Sequence, residues 1–227
     1  MPVDLTELLA GRALAPAAAV PAFPSAVVTM ELQRGVMGDQ ASFPELAAAC
    51  ERAGTVANTA RLLVAARRAG LAVVHCTAEF RADRAGTVLN TPLHSAALRR
   101  PGHLLAGTPA ADLVDGLGVD PSDLVSSRAH GVSPFTGTSL DATLRSLGVR
   151  VLVVTGVSVN LGVLGACIEA VNLGYQVAVP TDAVAGVPPD YADTVVATTL
   201  SLVATLTTVD ELVGVMGRLP RPRPSTP

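Results

Sequence analysis

Lysine is absent from this 227-residue chain; all sixteen basic residues are Arg. The abundance of Ala, Arg, Gly, Val and Pro is that of GC-rich codons, which accounts for the absence. Its chemical consequence holds whatever the cause. No mechanism that needs a side-chain amine, as Schiff base, general base or tunable ammonium, is open to this protein. Trp is also absent, and Phe and Tyr together supply only six aromatic rings. A stacking-rich site for a nucleotide is therefore not expected. The three cysteines, Cys50, Cys76 and Cys167, are odd in number and far apart. They read as reduced thiols, not a disulfide framework, and point to a cytoplasmic protein. Net charge is −3 with no basic cluster, which argues against nucleic acid as a partner. Apolar runs stay near five residues, far short of a membrane span. The start of the chain lacks the basic and apolar regions of a secretory signal. No metal and no other cofactor is expected.

What is present is a core. Apolar residues make up 49% of the chain and charged residues 15%. That composition and length suit one sizeable domain, expected over 25–217, between an Ala/Pro-rich arm (1–24) and a frayed tail (218–227). The arm reads as surface-lying or docked on a partner subunit. Strands are expected at Ala26–Glu31, Leu71–Thr77, Asp123–Arg128, Arg150–Thr155, Tyr175–Pro180 and Leu206–Val209. Helical patterns lie between them: Pro44–Ala69 with a break near Gly54, Thr138–Leu147 with Thr138 as N-cap and Asp141 completing a capping box, Asn160–Leu173 stopped by Gly174, and Pro188 to about Ala204. The long segment 78–108 carries Arg81, Arg84, His94 and His103, and loops of that length are usually functional or partly helical. The strands are continuous apolar runs alternating with helices, the pattern of a parallel sheet covered on both faces. The expectation is a three-layer α/β/α sandwich with a mostly parallel, doubly wound sheet of about six strands.

Chemistry in such folds gathers at the carboxyl ends of the strands. Glu31 ends the first strand with Gln33 two residues on. Arg128 ends the third, followed by His130, and Gly156 opens a turn after the fourth. If these strands are neighbours, an acid, a cation and a backbone turn converge on one crevice. Taken singly, Glu31 reads equally well as a solvated strand end paired with Arg34, and Arg128 as half of a surface ion pair. His130 faces the crevice or packs its own loop. His75 reads as a satisfied core histidine, and Cys76 as a small core residue.

The chain resembles the isochorismatase-like hydrolase superfamily, also called the cysteine hydrolase group. Met30-Glu31-Leu32-Gln33 stands where family members carry Asp-Met-Gln after a strand. Arg128 precedes Ser133-Pro134-Phe135-Thr136-Gly137-Thr138-Ser139-Leu140, similar to the family's Ser-x-Phe-x-Gly-Thr-x-Leu run. Gly156-Val157-Ser158-Val159-Asn160-Leu161-Gly162-Val163 stands where the family has Gly-Val-x-Thr-x-x-Cys-Val. Ala170, Gly174-Tyr175 and Asp182-Ala183 fit the downstream pattern, so the resemblance spans roughly 26–212. It implies a doubly wound α/β fold, a homodimer or homotetramer, and a small-molecule substrate.

All three positions of the amidase triad implied by the resemblance, Asp-Lys-Cys, differ here: they are Glu31, Arg128 and Gly162. Cys167, five residues past Gly162, lies roughly 7.5 Å further along an ideal helix and cannot stand in for the missing thiol. Ser158 lacks a His partner in sequence, and turn hydroxyls usually bond locally. The resemblance offers another route. Isochorismatases proper also have Gly at the nucleophile position; their acid protonates a vinyl-ether carbon and water attacks the resulting cationic carbon. A fixed cation beside a carboxyl favours the ionised form, which opposes the acid role. A guanidinium is well suited to gripping a substrate carboxylate.

The expected reading is a hydrolase acting on a vinyl-ether, C–N or C–O bond of a small carboxylate-bearing substrate, without a Cys nucleophile. Glu31 is its acid or base and Arg128 its anchor. Gln33, Glu79, Arg84, His130, Phe135, Val157, Ser158 and Gly162 are the expected substrate contacts. Glu79 and Arg84 read equally as a solvated ion pair, and Phe135 as pocket wall or subunit interface. The alternative is a non-catalytic relative serving as a ligand-binding or assembly module.

Overall fold

The structure, a computed structural model, describes residues 4–9 and 25–219. Most of the expected arm and tail lies outside the described residues. Seven strands form one sheet: β1 (Ser25–Met30), β2 (Ala72–Ala78), β3 (Leu124–Arg128), β4 (Val151–Val157), β5 (Gln176–Pro180), β6 (Val184–Ala185) and β7 (Thr205–Thr207). Their order is β3-β2-β1-β4-β5-β7, and every pairing is parallel. The two-residue β6 takes up the end of β4 after the β4–β5 pairing has stopped. The sheet expected to hold about six strands thus has six in line and one short addition.

β1 (SAVVTM) and β4 (VLVVTGV) are buried at every position, as central strands of a covered parallel sheet must be. β3 is an edge strand and alternates; Val125 is exposed while Ser126 and Arg128 are buried. The helices that precede β3 in the chain are α1 (Leu5–Leu9), α2 (Arg34–Met37), α3 (Pro44–Ala53), α4 (Thr55–Arg68) and α5 (Pro92–Ala97). After it come α6 (Leu140–Ser146), α7 (Leu164–Asn172), α8 (Pro189–Val195), α9 (Ser201–Val203) and α10 (Val209–Met216). One core layer joins Val27, Val73 and Val153 of the sheet to Leu62 and Leu63 of α4 and Leu212 of α10. The other joins Val28, Val74 and Val154 to Leu144 of α6 and Ala166 and Cys167 of α7. Odd and even strand positions feed opposite faces, the period-2 rule that makes a three-layer sandwich. Each fully buried Leu or Val contributes about 1.5–3 kcal/mol.

Local details depart from the sequence expectation at helix ends. The break near Gly54 is a left-handed cap, φ 63°, between α3 and α4. Thr138 is not the N-cap of α6. Ser139 holds that position, while the Thr138 hydroxyl donates to Pro134 O at 2.6 Å and accepts from Leu140 N–H at 3.1 Å. Asp141 completes no capping box; its carboxylate accepts from the Tyr175 hydroxyl at 2.8 Å. A capping box does occur at α10, between Thr208 and Glu211. The two helices expected at Asn160–Leu173 and Pro188–Ala204 each contain a π-helical turn, at Val159–Val163 and Val196–Leu200. From the arm, α1 buries Leu8 and Leu9 against the chain's own core and contacts α10.

Candidate active site

The connection leaving β1 runs to β2 on one side, and the chain later returns through β4 on the other. β1 and β4 therefore flank the point where the strand order reverses, where open α/β sheets bind ligands. At Gly156 of β4 the chains approach so closely that a Cβ would lie 2.3 Å from Met30 O; with φ 108° the position admits only glycine.

Glu31, the first residue past β1, has φ 50°, a left-handed conformation costly for a residue with a Cβ. Its N–H still bonds Cys76 O of β2 at 2.9 Å. This kink sets the carboxylate at the wall of a cavity of about 750 Å³. There it accepts from Nη2 of Arg128, the last residue of β3. Arg128 is buried, with its Nε donating to Gly131 O at 3.0 Å and its Nη1 lacking any acceptor among the described residues. An acid and a cation from strands separated by β2 thus meet across its end. Arg34, the alternative partner of Glu31, pairs with Asp39 instead.

Ser158, just before the π-helical turn that follows β4, and Gly162 within that turn also line the cavity. Gly162 does not open free space. A Cβ there would lie 3.0 Å from both Met30 Cε and Val157 O, so the Met30 side chain occupies the room that a longer residue would need.

The other expected contacts lie outside the cavity wall. Gln33 is fully buried: its Nε2 donates to Ala78 O at 3.0 Å and Ala111 O at 2.7 Å, and its Oε1 accepts from Ala78 N–H at 2.8 Å. It ties the end of β1 to the end of β2 and to the 105–114 segment. Val157 is wholly within the core. Phe135 packs on Tyr175 at 6.0 Å between ring centroids, while Ser133 and Thr136 of the same run donate to Glu169 of α7. That motif straps the loop after β3 to the helix behind the π-helical turn. Glu79 accepts from the Thr77 hydroxyl at 3.3 Å, and Arg84 stacks over Phe80, 5.5 Å from its centroid. No ion pair joins Glu79 to Arg84. The imidazole of His130 packs against Gly137.

Sequence reasoning missed most of the wall. Phe43 just before α3, Leu46 of α3, Phe80 and Leu104, Leu93 of α5, and Pro188 supply its apolar surface. The stretch 78–108 is partly helical: Thr91 caps α5, accepting from His94 N–H at 3.1 Å, with Pro92 at the first helical position. This brings His94 into the cavity wall, with His103 from the following turn. Both histidines sit below the ordinary imidazole range. Burial is the main cause for each, aided by Arg128 for His94 and by Arg84 for His103, which is pushed down to about 4. The Nδ1 of His94 meets the Thr91 hydroxyl at 3.0 Å, and that of His103 meets Ser42 at 2.6 Å. The histidines therefore present neutral rings. Prolines flanking α5 were the available sequence signal for its helix; nothing in the sequence aimed it at Glu31.

None of the thiols lines the cavity. Cys50, Cys76 and Cys167 are all buried, and burial pushes each up to about 12. Among the described residues, no group of three His, Cys, Asp or Glu side chains is placed to hold a metal ion, and no helix is long and apolar enough to cross a membrane.

The parallel α/β/α sandwich, with a carboxylate and a guanidinium meeting at its strand ends, has the architecture of the isochorismatase-like hydrolases. Residues 25–211 match the isochorismatase domain, and the chain belongs to that family. It is 40% identical over 74 residues to the uncharacterized isochorismatase family protein YwoC of Bacillus subtilis (strain 168), an alignment covering 32% of this chain and 38% of that protein. Thus the matched stretch spans under half of that relative. An isochorismatase family protein from Desulfovibrio vulgaris shares 28% identity and superposes with a TM-score of 0.72 over 86% of this chain and 100% of its own. One from Burkholderia thailandensis gives 26% and 0.70, over 86% and 99%.

Proposed function

We propose that this protein is an isochorismatase-family hydrolase that works without a covalent nucleophile on a small carboxylate-bearing substrate. The observation that carries this reading is the Glu31–Arg128 pair at the cavity wall, in which one guanidinium nitrogen has no acceptor among the described residues. A buried donor without a partner is costly, and a bound carboxylate oxygen would satisfy it. Arg128 then anchors the substrate while its Nη2 orients Glu31. An ion-paired carboxylate is an acceptor and serves as a general base. It takes a proton from water as that water attacks the C–N or C–O carbon, and returns it to the departing atom. With a vinyl-ether substrate the carboxylate would first take up a proton from solvent, pass it to the terminal carbon, and recover one from the water that adds to the resulting cationic carbon.

Two further observations support a mechanism without a thiol. Met30 fills the space beside Gly162, and all three cysteines are buried away from the cavity. Ser158 faces the cavity, but among the described residues no base accepts its proton. Assays of the purified protein against isochorismate, nicotinamide, ureido acids and simple amides test the reading. Hydrolysis of one of them, lost in Glu31→Gln, is the expected result. An unchanged rate in that variant removes Glu31 from the mechanism, and inertness of the native protein toward every class favours a ligand-binding module.

A further inference from the structure

The cavity is unusual in where its polarity stops. Glu31 and Arg128 lie at the strand ends, and Glu45 and Arg52 lie on an exposed stretch of α3. The wall also includes Phe43, Leu46, Phe80, Leu93, Leu104 and Pro188. Its two histidines add no charge, because burial holds both rings neutral and hydroxyls already engage their Nδ1 atoms. The remaining polar side chains of the wall, Ser158 and Asn160, lie together just after β4, so a polyhydroxylated ring placed against Phe, Leu and Pro would lose its water partners over that part of the wall and gain none there. A hydrocarbon body would instead gain its full transfer free energy.

Size points the same way. At about 750 Å³ the cavity lies in the upper part of the range, roughly 300–1,000 Å³, that holds ligands of drug size. A two- or three-carbon acid held on Arg128 would leave most of it unfilled.

We infer that the site selects a carboxylate with a bulky apolar body, a medium-chain or alicyclic hydrocarbon acid derivative, with its head on Arg128 and its hydrocarbon between Leu46, Phe80 and Leu93. The inference deepens the hydrolase reading, since it rests on the same cavity and anchor. It assigns specificity to the residues of α3 and α5 that form the wall opposite the strand ends.

Binding calorimetry on the full chain with straight-chain acids from acetate to octanoate tests it without requiring turnover. Dissociation constants should fall roughly fourfold for each methylene added until the cavity is full. Cyclohexanecarboxylate should bind at least tenfold more tightly than its polyhydroxylated counterpart quinate. In Arg128→Met the preference for an acid over the alcohol of equal length should vanish while the chain-length slope remains. Ala97→Phe, which fills the wall, should weaken octanoate at least tenfold and leave propionate unchanged. Should that variant fail to fold, Leu93→Asn, at a position 38% exposed on the lip, should flatten the slope instead. A flat chain-length series, or quinate binding more tightly than cyclohexanecarboxylate, overturns the inference. Turnover of a polar substrate with a flat series would sink this specificity and leave the hydrolase reading standing; a steep series with no hydrolysis of any substrate would do the reverse.

Discussion

Two carboxylate–arginine pairs flank the same three strands, and their exposures are inverted. Just before β3, Asp123 is 2% exposed and its partner Arg67, on α4, is 19% exposed. At the far end of β3, Arg128 is 6% exposed and Glu31 is 17% exposed. Asp123 collects Arg67 Nε at 2.9 Å, Arg67 Nη2 at 2.6 Å, its own turn's Asp120 N–H at 2.9 Å and His75 Nε2 at 3.0 Å. Because Asp123 accepts from His75 Nε2, Nδ1 is left to accept from Thr29 at 2.8 Å. This Thr-His-Asp chain has the sequence of groups of a hydrolytic triad, yet Thr29 and His75 are wholly buried and neither lines the cavity beside Glu31. Its oxygens are satisfied, and it holds β1, β2 and α4 together. The Glu31 pair has fewer bonds, a nitrogen without an acceptor among the described residues, and a cavity in front of it. The satisfied pair reads as structural, and the incompleteness of the other is what its proposed chemical role rests on.

Substitutions should separate the two. Glu31→Gln is expected to lower turnover by roughly 10²–10⁴-fold with little change in melting temperature. An equal loss of stability would make this pair structural too. Asp123→Asn should do the opposite, costing about 2–3 kcal/mol in urea unfolding while the rate per folded molecule holds, because it removes the charge and turns one of the two acceptor oxygens facing His75 and Arg67 into a donor.

A third effect, smaller and spread over several groups, is acid sensitivity. The folded state depresses His75, His94 and His103 below the ordinary 6.5, chiefly by burial. Their contribution is complete above pH 6.5 and is lost as pH falls toward about 4, the value for His103. Burial alone would raise Asp123, but the bonds from Arg67, Asp120 and His75 outweigh it, so its contribution is lost only under stronger acid. Melting temperature should drop between pH 7 and pH 4, with a shallower slope in His103→Asn; a flat profile contradicts the burial argument. The smallest expected effect is none at all: iodoacetamide should label none of the three thiols in the native protein and leave any hydrolysis intact, as peptide mapping after treatment would show.

The fold was legible in the sequence because continuous Val-rich strands between amphipathic helices leave few other arrangements. The meeting of Glu31 with Arg128 was legible for the same reason, as both are strand-end residues. Gln33 was misplaced because sequence cannot tell a carboxamide aimed at a ligand from one bonded to backbone groups. The apolar wall went unread since Phe43, Leu46 and Leu93 look like ordinary helix core until the tertiary fold leaves one side of them uncovered. Gly162 was expected to touch substrate. Only the packing reveals that Met30, at the end of β1, fills the space beside it.

Gln33 itself bears on how the site moves. Its carboxamide accepts from the N–H of Ala78 and donates to the C=O of Ala78, as a neighbouring peptide group would. In effect the β1–β2 ladder gains one more rung after β1 has ended, and Glu31 sits beneath it. The floor of the cavity therefore belongs to the sheet and not to the loops. In hydrogen exchange the amide of Ala78 should be among the slowest in the molecule, opening only with the sheet, while the wall built from α5 breathes on its own.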